Sequence, residues 1–507
     1  MASPSSNQQP GESPYQDVNG DYDEDEALKA AIASSLKQEA EDPRTSEQEP
    51  TPKGIKSPEQ VVKVADDDIK IEEVLEKDKL ELAVVSSFQW DEPWLLSKVD
   101  TARTRMVFIA YAKNGAEQET LRANVPSSRI KLCFPPMHGI GCMHSKLQLL
   151  NYLRIVVPSG NLVPYDWGET GVLENMVFLI DLPRIVQAPG DAAAIRGNDD
   201  AGVSFGTELR RFLRAQGLDE SLVKSLDNFD FTETERYRFI HTIAGGHTDQ
   251  LSGETGYHGL SRAVRSLGLS TDKPITVDYV TSSLGSIDNS FIKTIYAACQ
   301  GLNNGQKDGG DQPSRRNTKT ALDATDSHKA LGVKMRIYFP TEDTVAKSRG
   351  GKAAGGTICF QEKWWGSATF PREMLRDSIS TRPGVLMHDK LIFVQPNGIG
   401  GQDDPGAGWA YVGSANLSES AWGRLTKERG SGRAKLTCRN WECGVLVPTR
   451  NTGDRSSGGL SGAGEAGKML EAFRGAVPVP MVAPSRAYGA SPNDTAADRP
   501  WLFMKRY

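Results

Sequence analysis

A chain of 507 residues is too long for one compact core, so two or three folding units are expected. Its net charge of −6 is unevenly placed: residues 1–80 hold 20 acids against 9 bases, which leaves residues 81–507 at +5. No apolar run approaches the ~20 residues of a membrane-spanning helix, no secretory leader opens the sequence, and the six cysteines show no C-x-x-C spacing. An intracellular protein with free thiols and no bound metal is expected, with a body that accepts a polyanion without requiring one.

Residues 1–84 read as a disordered acidic tail, poor in aromatics and rich in Glu, Asp, Ser, Pro and Gln. One island in it, "DEDEALKAAIASSLKQE" at 23–39, places Leu28, Ala31, Ile32, Ser35 and Leu36 along one helical stripe behind an acidic lead-in. This island resembles a ubiquitin-interacting motif. The resemblance implies that Ala31 lets the helix lie close on an apolar patch of ubiquitin, flanked by Ile32 and Leu36, with Leu28 on the same stripe and Ser35 as a hydrogen-bonding group.

The folded body is expected from residue 85. Short β-branched runs alternate with helical patterns ("RMVFIAYA", "RIKLCF", "LRIVVPSGNL", "TELRRFLRAQG"), the rhythm of an α/β protein. A second series opens near residue 273 with "ITVDYVTSSLGS", a helix "SFIKTIYAACQGL" and "KMRIYF". Two units, 85–272 and 273–507, follow from this division. Stretches 303–328, 396–408 and 452–467 read as surface insertions.

Within these units one phrase occurs twice. "MHSKLQLL" (143–150) is echoed by "MHDKLIFV" (387–394), and "SGNL" (159–162) is echoed by "SANL" (414–417), each after a strand-like run. A single H-x-K is within reach of chance, whereas two copies each followed by S-x-N-L are not. On a strand, residues i and i+2 project to one face, so His144 and Lys146, and likewise His388 and Lys390, stand side by side. Asn161 and Asn416 close the neighbouring strands, and Ser418 caps a helix that starts at "SESAWG". Imidazole, ammonium and amide around an anionic centre suit phosphoryl transfer, with histidine as nucleophile or general acid.

Paired H-x-K motifs with a downstream Asn resemble the phospholipase D superfamily. The usual H-x-K-x4-D signature would put Asp at 151 and 395, where this chain has Asn151 and Gln395. Loss of both resembles the tyrosyl-DNA phosphodiesterase branch, as do "SANLSESAWG", "RNWECGVLV", "TSSLGS" and the closing "DRPWLF". The fold implied is α/β: two similar α-β-α sandwich lobes related by a pseudo-two-fold axis, with the active site between them.

The resemblance also implies roles. His144 would attack phosphorus to form a covalent phosphohistidine. His388 would protonate the leaving phenol and later activate water. Lys146, Lys390, Asn161 and Asn416 would cradle the phosphoryl group without a metal or any other cofactor. Glu442 would orient a catalytic histidine, with Glu174 as the candidate counterpart in the first half. Ser282, Ser283 and Ser286 would touch DNA phosphates, whereas Ile140 stands where the family places a base-stacking aromatic. Trp364 and Trp365 are expected in the core, with base stacking or peptide binding as the alternative. The implied activity is DNA repair: hydrolysis of a 3′-phosphotyrosyl bond between DNA, single- or double-stranded, and a topoisomerase I remnant, by a nuclear monomer that acts away from membranes. A phospholipase D-type lipid hydrolase, a nuclease, and a ubiquitin-reading adaptor with an inactive site are the alternatives.

Overall fold

The computed structural model describes residues 68–185, 203–302, 334–396, 408–449 and most of 472–502, apart from single positions at 126, 138, 140, 249 and 429. The helical island at 23–39, with Leu28, Ala31, Ile32, Ser35 and Leu36, lies outside the described residues, as does Ile140.

Among the described residues there are eighteen strands, numbered here in chain order. The first seven are β1 (Leu82–Ser86), β2 (Arg105–Ile109), β3 (Ile130–Cys133), β4 (Leu147–Leu150), β5 (Arg154–Pro158), β6 (Leu173–Glu174) and β7 (Val177–Asp181). Then come β8 (Arg238–Thr242), β9 (Gly245–His247), β10 (Ile275–Val280), β11 (Met335–Phe339), β12 (Leu375–Asp377), β13 (Leu386–Met387) and β14 (Leu391–Pro396). The last four are β15 (Trp409–Gly413), β16 (Arg424–Lys427), β17 (Ala434–Cys438) and β18 (Glu442–Pro448).

Two large sheets carry the architecture. The first has the order β3-β2-β1-β4-β5-β7 and the second β12-β11-β10-β14-β15-β18-β8. The first six strands of each correspond one to one. In both sheets the first three are parallel and the rest antiparallel. This is the internal repeat announced by the doubled motif, now visible as topology.

The strand alternation sorts side chains into layers. Val84 of β1 faces the core between the sheets, together with Ile155 and, from the other sheet, Phe393 and Val445. Its neighbours Ala83 and Val85 face outward onto the helices Ile71–Leu75 and Glu92–Ser97. On the far side, Val277 and Tyr279 of β10 pack against the helices Gly256–Ser266 and Asn289–Cys299. The result is helix, sheet, sheet, helix, and both Trp364 and Trp365 are buried in the outer core of the second half.

Two boundaries differ from the sequence expectation. Residues 71–84, assigned to the tail, form a helix and most of β1, which lies between β2 and β4 within its sheet. The acids around "LELAVVSS" hide an apolar run whose two faces are both buried. The division at 272/273 also fails as a sheet boundary, because β8 pairs with β18 and so belongs to the second sheet. Its residues read as part of the first series, but Phe239 packs in the layer that both sheets share.

Candidate active site

Both H-x-K segments sit at the junction of the lobes, in extended chain leading into β4 and β14 rather than inside a strand. Each is tied by its backbone to the opposite lobe. The His144 amide donates to the Trp441 carbonyl at 3.0 Å, and the His388 amide donates to the Glu174 carbonyl at 3.0 Å. The approach is close: a Cβ on Gly141 would lie 2.1 Å from the Arg439 carbonyl oxygen, so only glycine fits there.

The side chains repeat this crossing. His144 Nδ1 lies 2.9 Å from Glu442 Oε2 at the start of β18. Glu442 is held in turn by the Ser414 hydroxyl and by Asn440 Nδ2 at 3.1 Å. His388 Nδ1 lies 2.8 Å from Asp166 Oδ1, on the 3-10 turn Pro164–Trp167. Asp166 also accepts from the Asn161 amide at 2.7 Å and from Asn161 Nδ2 at 2.9 Å. With Nδ1 committed to a carboxylate in both cases, each ring offers Nε2 to the space between the lobes.

That space is a cavity lined by Phe88, His144, Asn161, Ser283, His388 and Asn416, among others. Asn416 turns its carbonyl away: Oδ1 accepts from Thr281 Oγ1 at 3.0 Å, from the Ser282 amide and hydroxyl at 3.2 Å each, and from the Ser283 amide at 3.1 Å. Its NH2 is therefore left for the cavity. Asn161 is more committed, because its Nδ2 also donates to Gln89 Oε1 at 3.2 Å.

The electrostatics ask for an anion. Lys146 and Lys390 are buried, and their ammonium groups donate to backbone carbonyls, Lys146 to His144 and Lys390 to His388 and Ser159. Among the described residues neither has a carboxylate at ion-pair distance. Burial, followed by repulsion from Lys146, brings Lys390 down to about 7, and burial lowers Lys146 as well. Burial likewise brings both histidines down to about 4 against the pull of Glu442 and Asp166. An incoming phosphodiester opposes all of these shifts at once.

A sequence profile described as Tyrosyl-DNA phosphodiesterase matches residues 54–489. The chain belongs to the tyrosyl-DNA phosphodiesterase family. It is 25% identical over 397 residues to tyrosyl-DNA phosphodiesterase 1 of Arabidopsis thaliana, covering 75% of this chain and 58% of that protein. It is 23% identical over 405 residues to the Drosophila melanogaster protein of the same name, covering 76% and 64%. The chain thus spans about three-fifths of the length of these curated relatives. A crystal structure of a yeast tyrosyl-DNA phosphodiesterase 1 mutant matches with a TM-score of 0.50 at 17% identity, over 75% of this chain and 85% of that one, and shows the same fold.

Most residues that the tyrosyl-DNA phosphodiesterase resemblance singled out in the sequence do converge here: His144, Lys146, Asn161, His388, Lys390, Asn416 and Glu442, with Ser282 and Ser283 behind Asn416. Ser286 does not, being exposed beyond that cluster. Glu174 is a correction. Its carbonyl holds the His388 amide, but its carboxylate points toward Arg382 Nε at 3.5 Å. Asp166, not Glu174, lies against the His388 ring. Among the residues missed are Asp166, and Phe88, whose ring centroid lies 5.2 Å from that of His144. The signal for Phe88 was its place just past the end of β1, where α/β sheets gather their binding residues.

Proposed function

We propose that this protein hydrolyses the 3′-phosphotyrosyl bond joining DNA to a topoisomerase I remnant, through a covalent phosphohistidine and without a metal. The observation that carries the reading is the pair of crossed histidines, each with a carboxylate on Nδ1, around a cavity backed by two lysines that lack acidic partners among the described residues. His144 Nε2 attacks phosphorus while the bond to the tyrosyl oxygen breaks, and the phenolate takes a proton from His388 Nε2. Neutral His388 then draws a proton from water as its oxygen attacks phosphorus. The P–N bond breaks, the electron pair returns to His144, and DNA leaves with a 3′-phosphate. Lys146, Lys390 and the Asn416 amide hold the charge that builds on the phosphoryl oxygens, while Asn161, both of whose amide protons go to Asp166 and Gln89, holds Asp166 in place.

The test is a 3′-phosphotyrosyl oligonucleotide incubated in EDTA. Conversion to a 3′-phosphate end is expected, and no conversion removes the reading. A phospholipid turned over in its place would move the substrate from DNA to membrane. The same reading puts the protein in the nucleus, and the acidic segment 23–39 is assigned to ubiquitin. A peptide of residues 20–42 titrated into labelled ubiquitin should shift the apolar patch of ubiquitin, and an unchanged spectrum refutes that assignment.

A further inference from the structure

The two motifs differ at their middle position. The first carries Ser145 between His and Lys, and the second carries Asp389. Asp389 is 1% exposed, and its Oδ2 has no hydrogen-bond partner among the described residues. Its Oδ1 lies 3.0 Å from the hydroxyl of Ser159, the residue that opens the S-G-N-L phrase in the other lobe.

That hydroxyl is oversubscribed. The Met176 amide donates to Ser159 Oγ at 2.9 Å, and Asn175 Oδ1 lies 2.9 Å away. The orientation of Asn175 is fixed, because its Nδ2 faces two acceptors, the Asp166 carbonyl at 3.0 Å and Asp166 Oδ1 at 3.2 Å. Asn175 Oδ1 therefore needs a proton from Ser159, and a hydroxyl has one to give. An ionised Asp389 would face the same hydroxyl as a second acceptor with nothing to accept. A protonated Asp389 donates to the remaining lone pair of Ser159, and donors and acceptors then match along the whole line.

We propose that Asp389 serves this site as a neutral carboxylic acid, a positioning residue whose proton orders Ser159, Asn175 and Asp166 in turn and so aims His388. The effect on catalysis rests on the phosphodiesterase reading; the protonation state does not.

The surroundings agree. Burial comes first in favouring the neutral acid, and the carboxylate of Glu174 adds to it. The Ser159 hydroxyl, Lys390 and the Met176 amide oppose them. Beyond this shell, Arg382 is 3.5 Å from Glu174, and Asp166 with His388 closes the line. The balance stands at about 7. As pH rises through that value, Asp389 ionises, competes for the Ser159 proton, and releases Asn175 from Asp166. A carboxyl raised in this way lends stability that is full below its ordinary range near ~4 and is lost as pH passes about 7.

The experiment uses the full chain and Asp389→Asn, whose amide donates to Ser159 at every pH. Infrared difference spectra across a pH jump should show one protonated-carboxyl band in the parent that Asp389→Asn removes. Asp389→Asn should also gain thermal stability over the parent as pH rises from 6 to 8.5. On 3′-phosphotyrosyl DNA the parent should lose about tenfold in rate over the same rise. Asp389→Asn should fall less steeply than the parent, keeping only the share of the loss that follows Lys390, and Asp389→Ala should be slow at both ends. Asp389→Ser, a copy of the first motif, supplies a hydroxyl donor if the amide disturbs folding, and it should also flatten the profile. An identical alkaline fall in parent and Asp389→Asn, or no band lost, overturns the proposal. An inactive parent that still shows the band would defeat the phosphodiesterase reading and leave the protonation of Asp389 standing.

Discussion

Glu442 reaches His144 directly from the start of β18, whereas Asp166 reaches His388 from a 3-10 turn, with a neutral residue standing where the strand carboxylate would be. The strand positions match: Ser414 donates to Glu442 and accepts from the Cys443 amide, while Ser159 donates to Asn175 and accepts from the Met176 amide. Asn175 is thus the counterpart of Glu442, one link further from its histidine. The comparison teaches that a repeated fold preserves the crossing between lobes while letting each half hold its histidine with different chemistry.

The hardest test of the two halves is removal of the histidines. His144→Ala should abolish cleavage of 3′-phosphotyrosyl DNA, by about 10⁴-fold or more. His388→Ala should accumulate a protein–DNA adduct visible on denaturing gels, because the first displacement outlasts the loss of the group that activates water. If His144→Ala traps the adduct instead, the roles of the two lobes are reversed.

The carboxylates come next. Glu442→Gln and Asp166→Asn should each cost roughly 10–100-fold, but for different reasons. Loss of Asp166 removes the main group that raises the His388 pKa, so less imidazolium is available to protonate the leaving phenolate. A p-nitrophenyl ester, which leaves without a proton, should restore the first step in Asp166→Asn and not in Glu442→Gln. Equal rescue of both would mean that the two carboxylates play one shared role.

Much of this site was legible in the sequence because a repeat marks itself. His144, His388 and the S-x-N-L phrases stood out as pairs, and Glu442 followed from the family resemblance of "RNWECGVLV". Asp166 did not, because nothing in "VPYDWG" repeats in the second half and a turn residue has no periodicity to betray its direction. The choice of Glu174 failed by one position. On a strand a shift of one residue turns the side chain to the other face, and the inward position belongs to Asn175. The early strand β1 was obscured in a similar way, by acids on either side of an apolar core run.

A methyl group placed between the halves gives a smaller effect. A Cβ on Gly160 would lie 2.8 Å from Asn175 Cγ and 3.1 Å from Asp166 Cβ. Gly160→Ala should destabilise by about 1–3 kcal/mol and slow the His388 steps by displacing Asp166. The second lobe already has alanine at the matching position, Ala415, whose carbonyl accepts from Tyr279 Oη at 2.8 Å. Ala415→Gly should change the rate far less, measured as melting temperature and single-turnover cleavage side by side.

The smallest effect distinguishes the turns that succeed each Asn-Leu pair. In the second lobe Ser418 caps the short helix Glu419–Trp422, its hydroxyl accepting from the Ala421 amide at 3.2 Å. In the first lobe Val163 offers no side-chain cap, and Pro164 sets the turn instead, since its fixed φ suits a first position and it has no N–H to satisfy. Ser418→Ala should therefore lose about 1 kcal/mol in denaturant unfolding with little change in rate, because the capped helix supports Asn416 only through the backbone. Pro164→Ala should do the reverse, holding stability while loosening the turn that carries Asp166 and lowering the rate of leaving-group protonation. If both substitutions act on stability alone, the turn is merely a connection and Asp166 owes its aim to Asn161 and Asn175, which grip it from either side.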